Sequence, residues 1–421
     1  MATRTLLQVL HAVSENLAAR SYGTATAGAS GTLTCATHPF ITALATADAN
    51  EFVGDQIYIH TGVGLGQARQ ITAYAPTTGV FTVSPAWATN PTSTSEFSIF
   101  KRGLARDWLR DRINEALVKL RYLTIAPLTL VTDGDMETSG VGSWTASNAT
   151  LTKVTGASTL LRQTQSLRVL NSGAGGYGST VPILCRSSQE WYVQVDVRAD
   201  VGTARLSAYD VTNSATITSE TYAYRGWGRI AFTFTTPATC ESINFILSGS
   251  GAADDTYWDN LIAYPTGITE IQLPSWITRP GQVHKVLTDA QRDPEHDEDR
   301  LREAYWWKLL PDYSNPNSQF RLSIAPTLNG PVWLEAARPF STLTLDADTT
   351  FCDQEWIEVA ATVEALDKLI NLAPSQEVSA WKQEYNRKRA KLAYLNAALM
   401  PPMVVRHQFP ERPNTPVNAG I

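Results

Sequence analysis

The sequence predicts an α+β, multidomain chain in which a small helical bundle carries two inserted β modules. Three observations predict it. Four amphipathic helical patterns occur at residues 3–20, 103–122, 353–371 and 375–398. Between the first and second of these, and again between the second and third, apolar residues alternate with the period of two that marks half-buried strands. At 421 residues the chain is also too long for one ordinary core, so two to four domains are expected.

The first helix places Leu6, Val9, Leu10, Val13 and Leu17 on one stripe, within a segment spanning residues 1–22. Residues 23–101 read as a small β-barrel or sandwich. Ser21–Gly31 is rich in Gly, Ala and Thr and reads as turn. Strands follow at Thr32–Ala36, Gln56–His60, Ala68–Tyr74, Val80–Ser84 and Glu96–Phe100, with turn chemistry at Gly64–Gly66 and Pro76–Gly79. A second helix, within 102–126, aligns Leu104, Trp108, Leu109, Ile113, Leu117 and Leu120. Residues 267–352 form a β-rich connecting segment, with strands at Phe320–Ile324 and Val332–Ala336.

Residues 353–400 close the bundle. Trp356, Val359, Val363, Leu366 and Ile370 recur at gaps of three and four, and Asp353 can cap the helix start. Pro374 ends that pattern and Ser375 can cap the next, whose larger anchors are Val378, Trp381, Tyr385 and Tyr394. A short link makes the two helices antiparallel. Residues 401–421 carry five prolines and read as an extended arm.

The long β segment, residues 127–266, has four marks in sequence: Asp133-Gly-Asp-Met-Glu137, Gly142-Ser-Trp144, Ser166-Leu-Arg-Val169 and Trp258-Asp-Asn260. Its strands alternate cleanly, with Trp191, Val193, Val195 and Val197 against Tyr192, Gln194 and Asp196. The segment resembles the jelly-roll carbohydrate-binding modules, with Met136 where that family usually has Phe. The resemblance implies a β-jelly roll opening on a strand through Glu137. It also implies a structural calcium held by Glu137, Asp135 and Asp259, hard oxygen ligands of the type calcium takes. The alternative for Asp259 and Asn260 is a strand turn. For sugar binding, Trp144, Tyr209, Tyr222 and Trp227 are the aromatics that could stack on a pyranose face, against the alternative of core or rim packing.

The frame has its own order. A short helix precedes a β insertion; a Trp108-Leu-Arg-Asp-Arg-Ile-Asn-Glu-Ala-Leu117 helix follows; Ala337-Arg-Pro-Phe340 leads to an acid-capped helix, a basic helix and a Pro-rich tail. This order resembles the head-to-tail connector (adaptor) proteins of tailed bacteriophages. The resemblance implies a homo-oligomeric ring, typically of about twelve copies, contacts with the portal and with tail or neck proteins, and DNA passing through the lumen without specific binding. It implies a virion protein of the neck or tail, assembled in the host cytoplasm. Portal and neighbour contacts fall on Pro401, Val404, Arg406, Phe409 and Arg412 of the arm and on Lys382, Arg387 and Arg389 of the last helix. The basic helix and the acidic run Asp293–Asp299 are either opposite patches that pair between copies or two solvated faces.

Composition narrows the alternatives. The net charge of −6 argues against a general nucleic-acid coat. No apolar run of 18 residues suggests a membrane span, and the N-terminus shows no secretory signal pattern. The six histidines are scattered, and no HExxH, GxSxG or P-loop occurs. Ser172–Gly178 is Gly-rich but lies between strands, where a turn is expected. Asp254 and Asp255 have no carboxylate placed opposite them for glycoside cleavage, so no enzyme is expected and no cofactor is required. The four cysteines form no CxxC motif; Cys185 and Cys240 could pair inside one β module, against the alternative of thiols kept reduced during cytosolic assembly. The sequence therefore predicts a structural virion protein, a phage head-to-tail adaptor. The alternative is a phage tail or decoration protein that binds host-surface carbohydrate through its jelly roll.

Overall fold

The computed structural model describes residues 4–17, 20–36, 48–138, 140–155, 164–292, 299–304, 306–311, 320–328, 330–372 and 378–400. The expected arm, with Pro401, Val404, Arg406, Phe409 and Arg412, lies outside them, as do Pro374, Ser375 and the acidic run from Asp293 to Glu298. The chain forms two units. One comprises Met1–Tyr122 and Pro339–Met400, the other Leu123–Arg338.

In the first unit, β1 (Arg4–Thr5) leads into α1 (Leu6–Asn16). Thr5 and Gln8 form a reciprocal cap: the Gln8 amide donates to Thr5 Oγ1 at 3.2 Å and the Thr5 amide to Gln8 Oε1 at 3.0 Å. A seven-stranded antiparallel sheet follows, made of β2 (Arg20–Thr24), β3 (Ala27–Ala29), β4 (Thr32–Thr34), β5 (Gln56–Thr61), β6 (Ala68–Ala75), β7 (Val80–Ser84) and β8 (Glu96–Phe100). Its order is β2-β8-β5-β6-β7-β4-β3, around a core that includes Leu33, Ile57, Ile59, Phe81 and Phe97. The stretch Ser21–Gly31, expected as turn, contains most of β2 and all of β3. Both are edge strands, which bury little and so carry a weak apolar signal.

α2 (Arg106–Lys119) is shorter than expected, because Arg121–Pro127 is a strand, β9. Its β-branched Thr124 and Ile125 and terminal Pro127 suit an extended chain better than another helical turn. All four helices share one core. Leu6, Leu10, Leu109, Ile113, Leu117, Trp356, Ile357 and Leu395 meet there with Tyr58 and Phe100 of the sheet and with Phe340 and Leu343. The core is thus not purely helical. α3 (Gln354–Leu372) starts as expected, with the Trp356 amide donating to Asp353 Oδ1 at 3.0 Å. Of the anchors expected on α4 (Val378–Leu399), Trp381 and Tyr385 are half-buried, but Tyr394 is 72% exposed. Leu395 is buried instead, and Trp356 Nε1 donates to Asn396 Oδ1 at 2.8 Å, which fixes the rotation of the helix.

The second unit contains a β-sandwich. Its strands are β10 (Trp144–Ser147), β11 (Ala149–Val154), β12 (Ser166–Asn171), β13 (Tyr177–Thr180), β14 (Ile183–Leu184), β15 (Glu190–Val201), β16 (Ala204–Asp210), β17 (Ala215–Tyr222), β18 (Gly228–Thr235), β19 (Ser242–Gly249) and β20 (Asp255–Pro265). One sheet runs β10-β13-β19-β16-β17, with β14 also pairing β19; the other runs β11-β12-β20-β15-β18. From β15 to β20 the chain passes repeatedly between the sheets, which is jelly-roll connectivity. Between them lies a core of Trp144, Leu167, Trp191, Val193, Val195, Val197, Leu206, Phe245, Leu247 and Trp258.

Residues 128–137, expected as the first strand, are a chain of turns with Asp133 and Met136 in the left-handed region. Single hydrogen bonds anchor them: the Leu130 amide to Ala263 O at 3.1 Å, and the Leu261 amide to Gly134 O at 2.7 Å. A Cβ at Gly134 would lie 2.5 Å from the Leu261 carbonyl, so glycine permits this approach.

The rest of the unit is two small sheets. One is β21 (Ile268–Gln272), β25 (Phe320–Leu328) and β24 (Trp306–Pro311). The other is β23 (Asp299–Glu303), β22 (Val283–Arg292), β26 (Val332–Pro339) and β9. β27 (Thr349–Thr350), in the first unit, pairs with β1.

Candidate functional site

The outer face of the β10-β13-β19-β16-β17 sheet is where the sandwich presents ordered polar groups. In β16 and β19 the core takes Leu206, Ala208, Phe245 and Leu247, so the alternate residues face outward. The register aligns them in rows. One row is Ser147, Tyr177, Ser248, Arg205 and Thr221; the next is Thr145, Ser179, Ile246, Ser207 and Ser219; a third holds Asn244, Tyr209 and Thr216. Strands lie about 4.8 Å apart, so Tyr177 and Arg205 flank Ser248 with backbones roughly 10 Å apart, and Tyr209 lies about 13 Å along the strand from Arg205.

Ser179, Ser207 and Ser248 point outward yet are only 7%, 4% and 2% exposed. In the register of the sheet these three serines form a floor of hydroxyls between half-buried Tyr177 and Tyr209. The hydroxyls are held loosely. Arg205 Nε donates to Ser248 Oγ at 3.4 Å, Ser248 Oγ to Arg205 O at 3.4 Å, and Ser179 Oγ to Thr145 O at 3.5 Å. Asn244 Oδ1 is buried without a hydrogen-bond partner. Such a floor can exchange weak internal bonds for bonds to a polyhydroxylated ligand, while tyrosine rings offer apolar faces. No carboxylate stands in these rows, and Arg205 is their single charge.

Of the four aromatics expected to meet sugar, only Tyr209 lies on this face. Trp144 is a core residue whose Nε1 donates to Asp133 Oδ2 at 2.9 Å. Tyr222 packs against the sandwich core and its hydroxyl donates to Gly226 O at 2.9 Å. Trp227 is half-buried just before β18, with Nε1 enclosed. Tyr177, Arg205, Asn244 and the serines were not anticipated. Tyr177 sits in the Gly-rich run that reads as turn, although Arg205, Ser207 and Tyr209 do alternate with apolar residues.

The carboxylates expected to hold calcium lie on the other side of the sandwich. Asp259 of β20 stands opposite Asp196 of β15, at a register shift where Asn260 has φ 52°. Asp259 is fully buried, and the backbone amide of Asn260 beside it offsets only part of that burial. Burial, then the nearby Asp196 and Glu137, push its pKa well above the usual carboxylate range. Glu137 accepts the Thr164 and Gln165 amides at 2.8 Å each, and burial raises its pKa too. Asp135 is ion-paired with Arg338, whose guanidinium lies 5.2 Å from the Trp276 ring. Among the described residues, no group of three His, Cys, Asp or Glu side chains is placed to hold a metal. Asp259 and Glu137 offer hard oxygen atoms of the kind a divalent cation takes.

The other acids are engaged. Asp255 binds Arg168 through two hydrogen bonds, at 2.8 and 2.6 Å, and Asp254 accepts the Gly251 amide at 2.7 Å. On α4, Lys382, Arg387 and Arg389 are exposed. Arg387 pairs with Glu384 at 2.7 Å, Arg389 lies 5.9 Å from the Tyr385 ring, and Lys388 reaches Asn16 at 2.8 Å. No described helix is long and apolar enough to cross a membrane.

No family model matches this chain, and no curated protein matches it. Solved structures do resemble parts of it. The enzymatically active domain of tailspike protein 4 of bacteriophage CBA120 is similar at 14% identity, over 33% of this chain and 21% of that one, with a TM-score of 0.27. Family 16 Carbohydrate Binding Module-2 is similar at 15% identity, over 32% of this chain and 99% of that one, also at 0.27. The CBM22-1–GH10 modules of a Clostridium thermocellum endo-1,4-beta-D-xylanase, complexed with xylohexaose, give 17% identity over 34% of this chain and 29% of theirs, at 0.26.

Proposed function

We propose that this chain is a phage tail or decoration protein that holds host-surface carbohydrate on the outer face of the β10-β13-β19-β16-β17 sheet. The observation that carries the reading is the group of little-exposed, outward-facing serines between Tyr177 and Tyr209. A pyranose presents an apolar face and a rim of hydroxyls, and this surface offers partners for both. Arg205, the single charge there, favours glycans that carry a carboxylate. The task is binding rather than cleavage, because glycoside hydrolysis needs two flanking carboxylates and the face has none. A structural calcium at Glu137 and Asp259 belongs to the same reading, supported by the burial of Asp259 beside Glu137.

The test is a glycan array with the full-length protein, followed by titration of the best ligand. Tyr177→Ala and Tyr209→Ala should each weaken binding about tenfold, the equivalent of roughly 1.4 kcal/mol, with the fold intact by circular dichroism. Binding that survives both substitutions would sink the reading.

An adaptor role is the second reading, supported by one observation: helices from both ends of the chain share a core. In that role the unit forms a ring and the arm from Pro401 docks on the portal. Native mass measurement with portal, with and without residues 401–421, decides it, because a monomer indifferent to portal excludes this role.

A further inference from the structure

We infer that Cys185 and Cys240 are a disulfide-forming pair that staples the edge of the hydroxyl-rich sheet once the protein meets an oxidant. Their Sγ atoms lie 3.5 Å apart. A bonded pair is about 2.05 Å apart, so closure needs an approach of roughly 1.5 Å, within reach of small side-chain rotations. The backbone already sets the geometry. β14 pairs with β19 through Ile183–Ile243 and Leu184–Ser242, and the Cys185 amide donates to Glu241 O at 2.9 Å. Cys240 is held one residue further on by its amide bond to Pro237 O at 3.1 Å.

The two thiols differ in access. Cys185 is half-buried at the sheet edge, whereas Cys240 is buried. With a small disulfide such as oxidised glutathione, the Cys185 thiolate attacks first and forms a mixed disulfide, releasing one reduced glutathione. The Cys240 sulfur then displaces the second. Both cysteines are oxidised, one oxidant molecule is reduced to two thiols, and the two cysteine protons end on the released thiols. The bridge encloses β15 to β18 in a covalent loop and anchors β14 against β19, which carries Asn244, Ile246 and Ser248 of the outer face.

The experiment uses the full-length protein and oxidised glutathione, with alkylation, intact mass and peptide mapping as readouts. The expected result is the loss of two hydrogens, a single 185–240 cross-link, and a melting temperature raised by several degrees and restored by reductant. Cys240→Ser should trap glutathione on Cys185; Cys185→Ser should leave Cys240 unmodified in the folded protein. Cys35 and Cys352, both buried, serve as internal controls. Three results would each overturn the inference: glutathione retained on Cys185 of the unsubstituted protein, a bridge to Cys35 or Cys352, or a 185–240 bridge that lowers the melting temperature.

Discussion

The two sheets of the sandwich have the same construction but opposite outer faces. On the β11-β12-β20-β15-β18 sheet, Ile262 and Tyr264 are fully buried, in a second core with Ile271, Leu322 and Trp333. Asp259 on the same side is shut away from water. On the β10-β13-β19-β16-β17 sheet, the corresponding positions carry serines, Asn244, Arg205 and two tyrosines. The difference separates tasks. A face that joins a second core carries stability, and a face of small hydroxyls between aromatic rings carries recognition.

The comparison breaks first on stability. Tyr264→Ala should cost about 3–5 kcal/mol, as for other large buried aromatics. Tyr209→Ala should stay within roughly 0.5 kcal/mol, the range of ordinary surface changes. Urea unfolding of both variants checks this, and equal losses would mean that the open face is also structural.

The next largest effect is at Asp259. Its raised pKa means that the native state keeps a proton the unfolded chain has released. Native stability should therefore fall as pH rises above about 4, the ordinary carboxylate value. With a chelator present, Asp259→Asn should be more stable than the unsubstituted protein at neutral pH, by on the order of 1 kcal/mol, and the gap should close as pH is lowered towards 4. Added calcium should raise the melting temperature of the unsubstituted protein only. Calorimetry across pH, with and without calcium, reads all three.

Arg205→Ala gives the smallest change. It should leave affinity for neutral glycans unchanged and reduce that for acidic ones a few-fold, less so at high salt. Paired titrations with an acidic glycan and its carboxyl-reduced form measure the ratio.

Much of this architecture was legible because burial is written locally. Trp191, Val193, Val195 and Val197 alternate in sequence and all four are buried. Leu6, Val9, Leu10 and Val13 predict the inner stripe of α1, and Asp353 its counterpart's cap on α3. Strands with little to bury left a weaker trace, as β2 shows. Residues 128–137 are a strand by resemblance to the carbohydrate-binding modules, but their backbone hydrogen bonds go to isolated partners. The outer face was the hardest part to read. It gathers Tyr177, Arg205, Tyr209, Asn244 and Ser248 through the register of three strands, and no short window contains that register. Trp144 misleads for a related reason: the Asp133 carboxylate that satisfies its indole lies in a separate turn.

The pairing of β1 with β27 sets a timetable. Arg4 registers with Thr350 and Thr5 with Thr349, and α1 packs in the same core as α3. At ribosomal speeds of roughly 5–20 residues per second, β27 and α3 emerge some 20–70 s after α1. The stretch from Leu123 to Arg338 is synthesised whole in that interval and can fold before the first unit has its last pieces. Chain length itself is a small obstacle, since loop-closure entropy grows only with the logarithm of the span. In that interval Leu6, Val9, Leu10 and Val13 have α2, Tyr58 and Phe100 to pack against, and α3 completes the shared core afterwards.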